Sequence, residues 1–297
     1  IKKEFSGESL DSKTGRLCRI LKKSRIDNIF ISAPENIAWL LNLRGNDNPN
    51  SPIPNSKGII TKNKQIYIFT NLSKTKNIRK MKIYKKINFL DESKIYFIIK
   101  NLKGKNFCID SLTCSVFFEH LIKSKFIISN FFDPCYQLKS IKNNTEIYYT
   151  KKTHIYDGAA LTKFLYWVKH NNLKNLDERK AEKKLEYFRK QNKSYLYPSF
   201  DTIMGSGPNS AIIHYRSNSK TNRRIKKDDI LLCDSGGQYK YGTTDVTRTI
   251  CFNNPSKKIK NIYTRVLKGH ISVVRTNLNK IKDGSKIDKN ARYGSTK

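Results

Sequence analysis

Acidic side chains are scarce in this sequence: 24 Asp and Glu stand against 59 Lys and Arg in 297 residues, a formal charge of +35. No apolar run of about 18 residues occurs, so no helix is expected to cross a membrane. No apolar N-terminal core leads to a cleavage site, so secretion is not expected either. The six cysteines (Cys18, Cys108, Cys114, Cys135, Cys233 and Cys251) form neither a CxxC pair nor a regular framework. Free thiols in a reducing, cytoplasmic compartment are therefore expected rather than disulfides.

The basic excess does not by itself point to nucleic acid. It consists of 45 Lys and 14 Arg spread along the whole chain, in the company of many Asn and Ile. Sequence readout leans on bidentate Arg, and phosphate binding on a clustered patch. A solvated basic surface is the expectation, with weak adhesion to polyanions at low salt and no specific nucleic-acid partner.

The length suits about two domains, and no internal repeat is visible. Residues 9–24 carry Leu10, Leu17, Ile20 and Leu21 at helical spacing. Strands are read at Asn28–Ser32, Gly58–Thr61, Gln65–Thr70, Asn106–Asp110 and Phe126–Ser129, with a helix at Ser115–Lys123 and strand or helix at Ile95–Ile99. Ala38–Leu43 reads as a compact apolar turn, followed by a loop marked by Pro49, Pro52 and Pro54. Asp133-Pro134 is taken as the end of this α/β unit. A long helix is then expected from Asn143 or Asn144 to His170, with Glu146 in its favourable first turn. A second helix follows at Leu176–Asn192, antiparallel structure from Ser199, and a last helix at Pro255–Leu278. The domains expected are 1–139 and 140–297.

Two stretches carry chemistry. Leu231 to Ile250 places Asp234 and Asp245 at facing positions of what reads as a β-hairpin, with Gly236 and Gly237 breaking the first strand. Facing strands bring such residues within several Å, and two like charges so close call for a cation between them. Carboxylate oxygens suit a hard divalent ion. The alternative from spacing alone is that both are turn or exposed strand residues. Upstream, Gly205, Gly207 and Pro208 form a tight loop, after which a strand is expected to present His214. An imidazole there could donate to a carbonyl or developing oxyanion, although a lone His is by default a satisfied structural residue. The loop makes a poor phosphate cradle, because Pro208 removes a donor and no Lys follows at the required spacing.

Taken in order, Ser199–Ile203 (Ser-Phe-Asp-Thr-Ile), Gly207–Tyr215, Asp234–Tyr239 (Asp-Ser-Gly-Gly-Gln-Tyr) and Gly242–Thr249 resemble the signatures of the pita-bread metallopeptidases, specifically the long aminopeptidase P type. Glu4–Ser9, Ile37–Asp47 and Val266–Ile271 resemble the same family outside those motifs. The resemblance implies an α/β (α+β) protein with a creatinase N-terminal-type α/β domain followed by a partial pita-bread catalytic domain. It implies a metal-dependent aminopeptidase that removes the residue preceding Pro from a peptide whose second position is Pro. Attack by a metal-bridging hydroxide is the implied reaction. Two divalent ions, usually Mn, would be held by two Asp, one His and two Glu. Asp234 matches the first Asp, Asp245 the bridging one, and His214 the histidine that contacts substrate or intermediate. Family members are commonly homodimers.

The chain departs from that pattern. Between Asp245 and Lys297 there is no Glu, and the only His is His270, in a helical motif. The similarity fades after Asn290-Ala291-Arg292. The other histidines, His120, His154, His170 and His270, match no family role. Tyr241 stands where relatives often carry Asp. A fragment comprising the middle domain and the first half of the catalytic domain is expected, inactive by itself because the remaining His and two Glu are missing. Two alternatives stay open: a non-catalytic remnant acting through its α/β domain, and a prolidase- or creatinase-like hydrolase.

Overall fold

The computed structural model describes residues 1–281 and 283–293; the divergent tail beyond Tyr293 lies outside the described residues. In chain order the elements are α1 (Lys3–Ser6), α2 (Leu10–Lys23), β1 (Asn28–Ile31), α3 (Pro34–Leu40), β2 (Lys57–Thr61) and β3 (Ile66–Phe69). Then come α4 (Lys76–Lys80), β4 (Ile87–Leu90), α5 (Ile95–Asn101), β5 (Asn106–Ile109), α6 (Val116–Lys123), β6 (Ile127–Asn130) and α7 (Pro134–Ser140). The second half comprises α8 (Asn144–His170), α9 (Glu178–Lys190), β7 (Tyr195–Pro198), β8 (Ile203–Ser206), β9 (Ile230–Ser235), β10 (Gly237–Tyr239), β11 (Gly242–Thr243), β12 (Val246–Cys251), α10 (Lys257–Val274) and α11 (Gly284–Tyr293). The fold is mixed α/β. No helix among the described residues is long and apolar enough to cross a membrane.

The chain divides into two compact units. One comprises Ile1–Leu165, Lys184–Thr202 and Ser235–Val246; the other comprises Tyr166–Lys183, Ile203–Asp234 and the residues from Thr247. The first is built on a six-stranded sheet of order β4-β3-β2-β1-β5-β6. β1, β2 and β3 pair antiparallel, while β4, β5 and β6 add in parallel. Side chains of a strand alternate between its faces, and the sequence exploits this. Ile29 and Ile31 enter a core with Leu17 and Leu21 of α2 and Ile37 and Leu40 of α3. Phe30 enters the opposite core with Ile95 and Ile99 of α5 and Ile122 of α6. Each such fully buried side chain contributes about 1.5–3 kcal/mol. A second, three-stranded sheet of this unit runs β11-β10-β7, and the other unit contains the sheet β12-β9-β8.

Several expectations hold in detail. Asn143 and Glu146 form a reciprocal cap of α8: Glu146 N–H donates to Asn143 Oδ1 and Asn143 N–H to Glu146 Oε2, both at 2.9 Å. The helix expected over residues 9–24 is α2, and Ser9 caps it by accepting from Ser12 N–H at 3.2 Å. All six cysteines are free, five of them buried.

Other expectations need correction. The first half of the apolar stretch Ala38–Leu43 is the end of α3, which starts four residues earlier with Pro34 at its first turn, where a missing N–H is harmless, and the turn itself begins at Leu41. Asp133-Pro134 likewise opens a helix: Asp133 Oδ1 accepts from Cys135 N–H at 2.9 Å and caps α7. Of the two readings open for Ile95–Ile99, strand or helix, the helix is the one formed. His214 is not on a strand. Gly207–Ala211 winds into a 3-10 turn, and His214 follows it in a left-handed conformation with φ +54°.

Candidate active site

In the second unit, β8 and β9 pair antiparallel, with Asp234 opposite Ile203 and Cys233 opposite Met204. Leu231, Cys233 and Ser235 point inward, so the strand alternation leaves Asp234 half-buried on the other face. Thr247 Oγ1 donates to Asp234 Oδ1 at 2.8 Å. An ionised carboxylate has about four lone-pair directions, so this bond orients Asp234 and leaves acceptor capacity over.

His214 belongs to the same unit and is exposed. The loop that carries it is tied to a residue the sequence reading passed over. Glu178, the first residue of α9, is completely buried. Its Oε1 accepts from Ser206 N–H at 2.8 Å and from Asn209 Nδ2 at 2.9 Å. Its Oε2 accepts from the Tyr215 hydroxyl at 2.7 Å and from Arg223 N–H at 3.0 Å. In the sequence Glu178 is one of several Glu and Lys residues interleaved along this helix. Its only sequence signal was its place in the first helical turn, where a negative charge is favoured.

In the first unit, Asp245 is exposed and lies between β11 and β12. The residue before it is held firmly. Thr244 N–H donates to the Gly237 carbonyl at 3.0 Å, Gly237 N–H donates to Thr244 Oγ1 at 2.9 Å, and Ser199 Oγ donates to the Thr244 carbonyl at 2.8 Å. A Cβ on Gly236 would lie 2.0 Å from that carbonyl oxygen, so only glycine permits the approach. The hairpin expected between the two aspartates is therefore more elaborate. Between β9 and β12 the chain makes a separate tight hairpin, β10–β11, with Tyr239 opposite Gly242. Tyr241 at its tip stacks on Phe5 at 4.1 Å and meets Tyr149 at 5.1 Å, an aromatic cluster that accounts for a tyrosine at this position.

The segment after Asp234 rests on a buried ion pair. Arg189 and Asp157 side chains are 2% and 3% exposed, with Nε donating to Oδ1 at 2.7 Å and Nη2 to Oδ2 at 3.1 Å. Arg189 Nη2 also donates to Ser235 Oγ at 3.0 Å, and the Tyr239 hydroxyl to Asp157 Oδ1 at 2.7 Å. Burial and the neighbouring Asp157 push the Tyr239 phenol well above its usual pKa.

The oxygens of Asp234 and Asp245 have the right chemistry for a hard divalent ion. Among the described residues, however, no group of three or more His, Cys, Asp or Glu side chains is placed to hold a metal. Two carboxylates do not make a dinuclear centre.

A mixed sheet covered by helices, followed by long helices and small antiparallel sheets, is a fold shared with solved Xaa-Pro aminopeptidases and prolidases. The chain belongs to metallopeptidase family M24 and carries a creatinase/prolidase N-terminal domain: the two family models match residues 149–293 and 1–146. It is 37% identical over 281 residues to Xaa-Pro aminopeptidase ApepP of Drosophila melanogaster, covering 92% of this chain and 45% of that protein. It is 33% identical over 282 residues to the probable Xaa-Pro aminopeptidase P of Laccaria bicolor, covering 91% and 43%. Among solved structures it resembles X-prolyl aminopeptidase from Caenorhabditis elegans, described as a cytosolic enzyme with a di-nuclear active site, with TM-score 0.87 and 26% identity. That match covers 99% of this chain and 50% of that one. The chain thus spans about half the length of the curated relatives it matches.

Proposed function

We propose that this chain serves an Xaa-Pro aminopeptidase, contributing Asp234 and Asp245 as metal-facing carboxylates and His214 as the group that contacts the scissile carbonyl. What carries the reading is the conjunction of the two family matches, one per half of the chain, with Asp234 oriented on β9 by Thr247, two residues after Asp245 in sequence. The substrate is a peptide with Pro at its second position, and the products are the free first residue and the shortened peptide. Two divalent ions, manganese in the first instance, supply Lewis acidity and an activated water when bound. We place the division between the two family domains near residue 140, a reading supported by family matches that meet between residues 146 and 149. A homodimer rests on the family resemblance alone. A cytoplasmic setting is supported by the free thiols and by the cytosolic C. elegans relative.

The 297 residues alone are expected to be inactive, because two aspartates bind metal weakly and do not fix its geometry. The test is release of the first residue from an Xaa-Pro peptide with manganese supplied, by the whole gene product and by the 297-residue chain. Release by the former alone, lowered at least about a thousandfold in Asp245→Ala, is expected. Release that survives both Asp234→Ala and Asp245→Ala sinks the assignment.

A further inference from the structure

Four tethers spread along the His214 loop lead to one buried carboxylate. Ser206 N–H at the start of the loop, Asn209 in its middle, Tyr215 at its end and Arg223 N–H beyond it all donate to Glu178. The Tyr215 hydroxyl has a single proton, and two acceptors lie within reach: Glu178 Oε2 at 2.7 Å and the Thr221 carbonyl at 2.9 Å. The ionised acceptor makes the stronger bond, so the proton goes to Glu178. The hydroxyl oxygen is then free to accept from Asn209 Nδ2 at 2.8 Å. His214 is the residue immediately before Tyr215. Its φ of +54° is a conformation that a non-glycine residue keeps only when its surroundings enforce it. The turn bond from Tyr215 N–H to the Ile212 carbonyl, 3.2 Å, closes the backbone around it.

We propose that Glu178 is a positioning residue for His214: it is the shared anchor that fixes the backbone from which the imidazole reaches substrate. This rests on the reading that His214 contacts the scissile carbonyl. Only an ionised carboxylate can accept at all these points. An amide in its place turns one of the two acceptor oxygens into an NH2, which then faces a donor-only backbone N–H, that of Ser206 or that of Arg223, so Glu178→Gln breaks at least one tether of the loop while leaving side-chain size unchanged. Glu178 itself touches no substrate, so its loss acts on the chemical step through His214 and not on the affinity for metal.

The test joins a spectroscopic and a kinetic measurement. In the 297-residue chain, the ring resonances of His214, assigned by their disappearance in His214→Ala, are expected to shift in Glu178→Gln. In the whole gene product, Glu178→Gln is expected to lower kcat for an Xaa-Pro peptide about tenfold to a hundredfold, the scale of a misplaced reacting group. Little change is expected in KM or in the manganese concentration giving half-activity. In the His214→Ala background the same substitution should cost no more than about twofold, because residues acting as one unit are not additive. Tyr215→Phe, which removes a single hydroxyl, gives the same pattern at smaller amplitude and decides the matter if Glu178→Gln does not fold. Unmoved His214 resonances, or an equal kcat loss with and without His214, overturns the proposal. If His214→Ala leaves kcat unchanged, the functional reading falls, and the resonance shift alone still tests the positioning.

Discussion

Helix α9 begins with a buried anion and ends near a buried cation, and the two are stabilised differently. At Glu178 a carboxylate with no exposed surface is surrounded by neutral donors: two backbone N–H groups, an amide and a phenol. At Arg189 the guanidinium meets the Asp157 carboxylate in a two-point pair, with Ser235 and Tyr239 completing the hydrogen bonds. An ion pair concentrates its stabilisation in one partner, and losing that partner strands an uncompensated charge. A dipole-solvated ion spreads it over several bonds, each contributing about 1 kcal/mol and each separately removable. The first arrangement fails all at once, and the second by degrees. The ion pair underlies the segment that follows Asp234, whereas the dipole-solvated anion underlies the loop bearing His214.

The largest effect is therefore expected at the ion pair. Arg189→Met should lower unfolding free energy by about 3–5 kcal/mol, since Asp157 stays buried without its cation. Adding Asp157→Asn should recover part of that loss by neutralising the stranded charge, so the double variant unfolds at higher urea than the single one. A loss below about 1 kcal/mol for Arg189→Met, or a double variant weaker than the single one, would mean that the pair is screened as a surface pair is.

Much of the first unit was legible because periodicity decides it. The two faces of β1 and the spacing of Leu17 and Leu21 in α2 follow from apolar pattern alone, and Asn143 with Glu146 announces the start of α8. Helix α7 is hidden in the sequence because Asp133-Pro134 reads as a break, and α3 because its apolar stretch is short, although proline is at home in a first turn. The motifs located Asp234, Asp245 and His214 in sequence but not their local geometry. The Ser-Gly-Gly run looked like the turn of a simple hairpin, and the β10–β11 excursion depends on Thr244 approaching Gly236 and Gly237, a contact that no periodicity encodes. Glu178 and Arg189 sit in a helix of interleaved charges, where burial of two out of many is decided by tertiary packing.

A smaller loss is expected at the other end of α9. Glu178→Gln keeps the volume and one of the two acceptor oxygens, so its effect on stability should be about 2 kcal/mol, the scale of one or two buried donors left unmatched. Urea unfolding followed by far-UV circular dichroism measures it. A loss as large as that of Arg189→Met would erase the distinction between the two arrangements and show that the Glu178 network also fails as one unit.

The smallest effect sharpens the comparison with a third buried ion, of opposite sign. Lys13 is 1% exposed, and its ammonium donates to Asn42 Oδ1 at 2.8 Å and the Trp39 carbonyl at 2.9 Å, 4.3 Å from the Trp39 ring centre, with no carboxylate bonded to it. Burial lowers its pKa to about 8; Glu146 and Glu8 oppose the shift, while Arg44 and Arg16 add to it. The unfolded chain keeps this proton up to the ordinary value of 10.5, so between the two values it binds more protons than the native state. Stability from this group must then rise with pH above about 8 and stay flat below it. Relative to Lys13→Met, which has no proton to lose, the wild-type chain should gain about 1 kcal/mol between pH 7 and pH 9. Urea midpoints of both proteins across that range give the difference directly. A flat difference would mean that neutral dipoles solvate the ammonium as well as water does, and that the dipole-held ions of this fold carry no residual burial penalty.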